Sequence, residues 1–225
     1  MNKKIKILLF GTLLCILPLL AANAQDVYRH EIKAYGCLPL GKFAKNIQTE
    51  EMIENKEAAS GAAFGTGIGY RYSWQFSWNL ELFAGIDFFW NPCSAERKKN
   101  FSNNSNETPP QYLNIPITFG LNLISPLEEN FCWYFNVGAG VNMNKTTSTG
   151  WIDHETYFKL GFSPAISASA GITIFKHYTF GITVETLTSF EVKLKEGYTD
   201  ELSIHPSNGL RRNMLIGTVH LGYTF

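Results

Sequence analysis

Apolar and polar residues alternate with a period of two along most of the chain, the pattern of strands whose faces meet different surroundings. It is clearest from Trp78 to Trp90. Trp78, Leu80, Leu82, Ala84, Ile86, Phe88 and Trp90 share one face, opposite Asn79, Glu81, Gly85 and Asp87. Two such segments precede it, from Val27 to Tyr35 and from Ala63 to Tyr72. Five follow, running near 112–122, 131–143, 158–170, 178–191 and 212–225. Most span about ten residues or more, enough for a tilted strand to cross a bilayer. Pro116 sits mid-strand, where it lacks a ladder donor, so a bulge is expected there.

The connections alternate in length. Short ones lie near Ser73 to Ser77, Ser125 to Asn130 and Lys176 to His177. Long ones run from Cys37 to Ser60, Asn91 to Pro109, Lys145 to Thr156 and Lys195 to Gly209. An up-and-down membrane barrel with both termini on one side shows this alternation. The same period would serve a soluble lipocalin-like barrel or a sandwich with its apolar face inward. The polar face here is rich in Gly, Ser, Asn and Thr, which suit a narrow bore. Aromatics gather at segment ends, where interfacial girdles belong. The expected fold is therefore all-β, an eight-stranded antiparallel up-and-down transmembrane barrel.

The first residues set the compartment. Lys3, Lys4 and Lys6 precede an apolar run from Ile7 to Leu20, and Ala22-Asn23-Ala24 is a small-x-small cleavage signal. Residues 1–24 read as a signal peptide and 25–225 as the barrel, placed in the outer membrane of a Gram-negative cell. Cys15 lies inside the apolar run without the small residues that precede a lipidated cysteine. Charged residues are only 17% of the chain and the net charge is zero, which removes nucleic acid as a partner.

The stretch Gln111-Tyr112-Leu113-Asn114-Ile115-Pro116-Ile117-Thr118-Phe119 resembles the Tyr-Leu-x-Ile-Pro strand of the porin-like outer-membrane β-barrel family of Bacteroidota. Phe135 to Val141 and Ser167 to Ile172 are similar to its later glycine-rich strands, and Leu221-Gly222-Tyr223-Thr224-Phe225 to its aromatic-ended last strand. The resemblance implies an OmpA-like barrel, surrounded by outer-membrane lipids, with no shared catalytic residues. Tyr223 and Phe225 are the candidate signal for the barrel-assembly machinery, with anchoring of the last strand at the interface as the alternative of equal weight. The glycine usual five residues before a terminal aromatic is replaced here by His220.

With the apolar face toward lipid, the inward charges are Arg29, Glu31, Lys33, Arg71, Glu81, Asp87, Lys159, Glu185, Glu191, Lys193 and Arg212, five acids and six bases. Eight strands enclose only enough space for their own side chains, and confined charges must pair. A salt-bridge network filling the bore is the expectation, with a narrow ion path through the same groups as the alternative. Cys37 and Cys93 lie at the upper ends of two strands in inward phase, where a disulfide would tie two loops. Free thiols are the alternative, and with Cys132 the mature count is odd.

His30, His154, His177, His205 and His220 show no metal spacing, and none stands beside an alternating Ser and acid at the outer rim. No cofactor or metal is expected, and no enzymatic role. The expected function is a structural or interaction barrel whose polar outer loops meet an unidentified ligand or protein. A narrow passive channel for small solutes is the alternative, and a lipid-modifying enzyme the third reading.

Overall fold

The computed structural model describes residues 27–46, 50, 59–104, 109–128, 130–147, 160–191 and 211–225. The expected signal segment lies outside them. Eight strands, β1 (Val27–Leu40), β2 (Gly65–Ser77), β3 (Leu80–Pro92), β4 (Gln111–Glu128), β5 (Phe131–Thr147), β6 (Gly161–Ile174), β7 (Tyr178–Glu191) and β8 (Arg211–Thr224), pair antiparallel in chain order. β8 then pairs with β1 and closes the barrel, from Glu31 opposite Thr224 to Leu40 opposite Leu215. A 3-10 turn (Gly41–Phe43) follows β1, and one described helix, α1 (Ala95–Asn104), follows β3.

Burial alternates along each strand in the sense the periodicity predicts, and it is inverted relative to a soluble barrel. Ile68, Phe119, Val141, Phe162, Ile182 and Leu221 stand exposed on the outside, while Lys33, Glu81, Asn114, Asn136, Ser163 and Thr218 are buried within. A closed barrel satisfies every ladder hydrogen bond internally, and an apolar exterior is stable only against hydrocarbon. The fold is a transmembrane β-barrel.

One end carries three tight hairpin turns, the other the long loops. The turns are tighter than the sequence implies, because residues 73–77 belong to β2 and only Trp78 and Asn79 connect it to β3. In the last turn Phe175 and Lys176 both have positive φ, 53° and 64°, and His177 N–H donates to the Ile174 carbonyl. This is a type I′ turn built without the usual Asn or Gly. Backbone bonds link neighbouring turns: Ile124 N–H to the Asn79 carbonyl and Phe175 N–H to the Asn130 carbonyl.

The expected bulge at Pro116 does not form. Pro116 faces Asn142 in unbroken register with β5, and on the β3 side pairing lapses between Ile86–Ile117 and Phe89–Asn114 without a shift. A lapse of one or two rungs removes the missing proline donor from the ladder, so no extra residue is required. The register shifts that do occur fall near strand ends, at Gln75/Ser77, Pro126/Glu128 and Leu187/Phe190.

Candidate functional site: the barrel interior

The inward residues fall into levels set by strand register. Nearest the turn end is a charged level. Arg29 pairs with Glu81 at 3.3 Å, and Lys33 with Glu31 at 3.1 Å. Asn122 Nδ2 donates to Glu81 at 2.9 Å, and Thr179 Oγ1 donates to Glu31 at 2.5 Å. Arg29, Glu31, Glu81, Asn122 and Thr179 line a mostly polar cavity of about 30 Å³ with Arg71, Ser73, Tyr134, Thr173 and Thr224.

Above this level the contacts are mostly between charged and neutral groups. The Arg71 guanidinium lies 4.2 Å over the Phe83 ring. That ring covers Gly120 and Gly138, where an added Cβ would come within 2.8 and 2.9 Å of it. The glycines of β4 and β5 therefore make room for an aromatic side chain reaching across from β3. Tyr35 donates its hydroxyl to Asp87 at 2.7 Å, and the Tyr134 hydroxyl meets His220 Nε2 at 2.6 Å.

Toward the loop end an apolar cluster packs beside buried polar groups such as Arg212 and Thr146. Tyr35, Cys37, Phe43, Ala62, Phe89, Tyr112, Ala165, Leu187, Met214 and Ile216 form one buried cluster. Phe43 comes from the 3-10 turn after β1 and is 0% exposed, its ring 5.3 Å from that of Tyr112. The described start of the first long loop thus packs into the mouth. Ala62 N–H bonds the Phe43 carbonyl, Ala62 bridges to Cys93, and the Tyr112 hydroxyl bonds the Ser60 carbonyl. Outside this stopper, Asn46 joins the first loop to the second. It accepts from Ser94 and donates to Glu96, while Arg97 donates to the Asn46 and Ala59 carbonyls.

Arg29, Glu31, Lys33, Arg71, Glu81, Asp87, Glu185 and Arg212 all occupy the inward phase of their strands. Of these only Arg29, Glu31, Lys33 and Glu81 form ion pairs among the described residues. Asp87 and Arg71 bond neutral partners, and the Arg212 guanidinium donates to Thr146 and lies over Tyr112. One Glu185 carboxylate oxygen is buried without a partner. Glu191 lies in β7 with its side chain outside the description, and Lys159 and Lys193 lie outside the described residues. A continuous salt-bridge network is therefore not what fills the described bore. Two pairs, several mixed contacts and an apolar stopper fill it together.

Of the two readings of Cys37 and Cys93, the structure shows the free thiols: both are free and buried, and Cys132 is free as well. β2 separates them. Cys37 faces Gly65 on one side of that strand, and Cys93 bridges Ala62 beyond the other. Two strand spacings put them roughly 10 Å apart, beyond disulfide reach.

The residues that sequence reasoning missed are the inward aromatics and aliphatics, above all Phe83, Phe89, Tyr112 and Phe43. Phe83 and Phe89 share a phase with Glu81 and Asp87, a signal present in the alternation itself. Phe43 carries no such signal, because a loop has no period.

A closed, inverted and filled barrel defines the class: a small membrane-spanning β-barrel of eight strands. One solved structure agrees in fold at a TM-score above 0.5, and others are similar at lower scores. The Neisserial surface protein A matches with a TM-score of 0.51 at 8% identity, covering 89% of this chain and 98% of that one. The attachment invasion locus protein Ail of Yersinia pestis, crystallised with the heparin analogue sucrose octasulfate, gives 0.48 at 11% identity, covering 90% and 100%. The outer membrane protein OprG of Pseudomonas aeruginosa gives 0.44 at 12%, covering 89% and 97%. Identities this low tie the chain to an architecture and to no activity. No protein-family model and no curated protein sequence matches the chain.

Proposed function

We propose that this chain is an outer-membrane anchor of closed bore, exported by a signal peptide over residues 1–24 and non-enzymatic, whose long loops meet a ligand or protein outside the cell. The turn end faces the periplasm and the loop end the exterior. The observation that carries this reading is Phe43. A loop aromatic, fully buried among Tyr112, Leu187 and Met214, closes the mouth from inside. The link through Asn46 and Arg97 ties the described parts of the first two loops to each other, which suits recognition. The resemblance of the Tyr112 and Phe225 strands to porin-like barrels of Bacteroidota supports the same placement.

Orientation is directly testable. A cysteine placed at Lys98, on the exposed face of α1, should react in intact cells with a membrane-impermeant maleimide, and one placed at Trp78 should not. The reverse labelling would refute the topology. Tyr223 and Phe225 serve the assembly machinery in this reading, so deletion of Phe225 should lower the outer-membrane yield. Unchanged insertion would exclude that role.

A second reading, a narrow passive channel for small solutes, is favoured by the neutral wall of Asn114, Asn122, Asn136, Asn142 and Asn144 along β4 and β5. It requires both Phe43 and Phe83 to move.

A further inference from the structure

Arg212 is a buried cation without an acidic partner among the described residues. It is 1% exposed, and its Nε meets no hydrogen-bond partner. Its Nη1 donates to Thr146 Oγ1, and its guanidinium carbon stands 5.0 Å over the Tyr112 ring. Glu185 cannot neutralise it. That residue faces Ile216, four positions along β8 from Arg212, roughly 13 Å away at the rise of a strand. A guanidinium taken out of water with only a hydroxyl and a ring against it is expensive, and it keeps most of its attraction for an anion.

The wall beside it carries further donors. Asn144 lies two positions from Thr146 on the inward face of β5, with Asn114 opposite it on β4. Asn142 Nδ2 donates to Asn114 Oδ1 at 3.2 Å, and Ser163 faces Asn142 on β6. The Nδ2 groups of Asn114 and Asn144 and the Ser163 hydroxyl are buried with no protein partner. Buried donors of this kind are seldom left unpaired. Tyr112 stands opposite Thr146 and packs against Phe43, and these rings beside the site lower the local dielectric and strengthen charge recognition.

We propose that Arg212, Thr146, Asn144 and Asn114 form a binding site for a small oxyanion, a carboxylate or phosphate group in size, beside the Phe43–Tyr112 contact. The guanidinium fork supplies charge and two-point geometry, and the amides and hydroxyl supply neutral donors. The ligand enters when the 3-10 turn lifts. The site does not depend on which external partner the loops meet.

The test uses the full mature chain refolded in zwitterionic micelles, with equilibrium dialysis of radiolabelled inorganic phosphate and of acetate at fixed ionic strength. Saturable binding of about one ion per chain is expected. Arg212→Met should weaken it by at least about tenfold, Arg212→Lys and Thr146→Val less. Gel migration before and after heating confirms that each variant is folded. Adding lipid A separates the sources: displacement identifies a lipid-borne phosphate, and no displacement a free ion. Absence of saturable binding by the wild type at millimolar concentrations would overturn the site, as would binding unchanged in Arg212→Met or Thr146→Val.

Discussion

Phe225, the last residue, exchanges both backbone hydrogen bonds with His30, at 2.9 and 3.2 Å, and stacks on its ring at 5.6 Å with the planes 15° apart. The end of the last strand is thereby locked to the start of the first. His177 stacks likewise on Tyr223 and bonds the Thr224 carbonyl. A double-mutant cycle of His30→Ala and Phe225→Ala, read by urea unfolding in micelles, should show a coupling of about 1 kcal/mol. Additive effects would mean that the stack contributes nothing to closure.

Lys33 is 2% exposed, and Glu31 is its ion-pair partner. Removing one member of a buried pair leaves the other uncompensated. Glu31→Gln should therefore destabilise the barrel by about 3 kcal/mol, and Lys33→Met combined with Glu31→Gln should recover part of that loss. Denaturant midpoints of the two variants decide it. A single variant as stable as the wild type would show that the pair is not needed.

The three thiols should behave differently. Without reductant, the unfolded mature chain should take up three alkyl groups by mass. In the folded barrel Cys37 and Cys93, both buried, should stay protected, while Cys132, half-buried at the turn end, should react first. Burial also pushes the Cys93 thiol up, against the pull of Arg97 and Lys98, and so reduces its thiolate further. A single adduct in the unfolded, unreduced chain would instead reveal a disulfide.

The turn at Phe175 and Lys176 holds two side chains in the left-handed region, each at a cost of roughly 1 kcal/mol. Replacing the pair with Asn-Gly should stabilise the hairpin by about 1 kcal/mol or more, since Phe175 is exposed and gives up little packing. A lower denaturant midpoint would show that the ring anchors the turn at the interface.

The strands and their two faces were legible because a side-chain period of two is imposed by the backbone itself. The alternation from Trp78 to Trp90 alone defines β3 to within two residues. The contents of the bore were only partly legible. Glu81 and Asp87 announce an inward face, but Phe83 and Phe89 share it, and their role depends on what stands opposite. Phe83 fits because Gly120 and Gly138 leave space across the barrel, a coincidence of stagger between β3, β4 and β5 that no single segment encodes. Charge pairing fails for the same reason. A near balance of five acids and six bases does not say which can meet, and Arg212 and Glu185 sit at different heights. Phe43 was invisible because its burial depends on how a loop folds back over the mouth.

The proposed closure of the bore rests on Phe43 at the loop end and Phe83 midway. Conductance in planar lipid bilayers tests it most directly. The refolded wild type should show no steady unitary current, and the Phe43→Ala, Phe83→Ala double variant should show frequent small openings. Large, steady currents from the wild type, unchanged in the double variant, would contradict the closed bore.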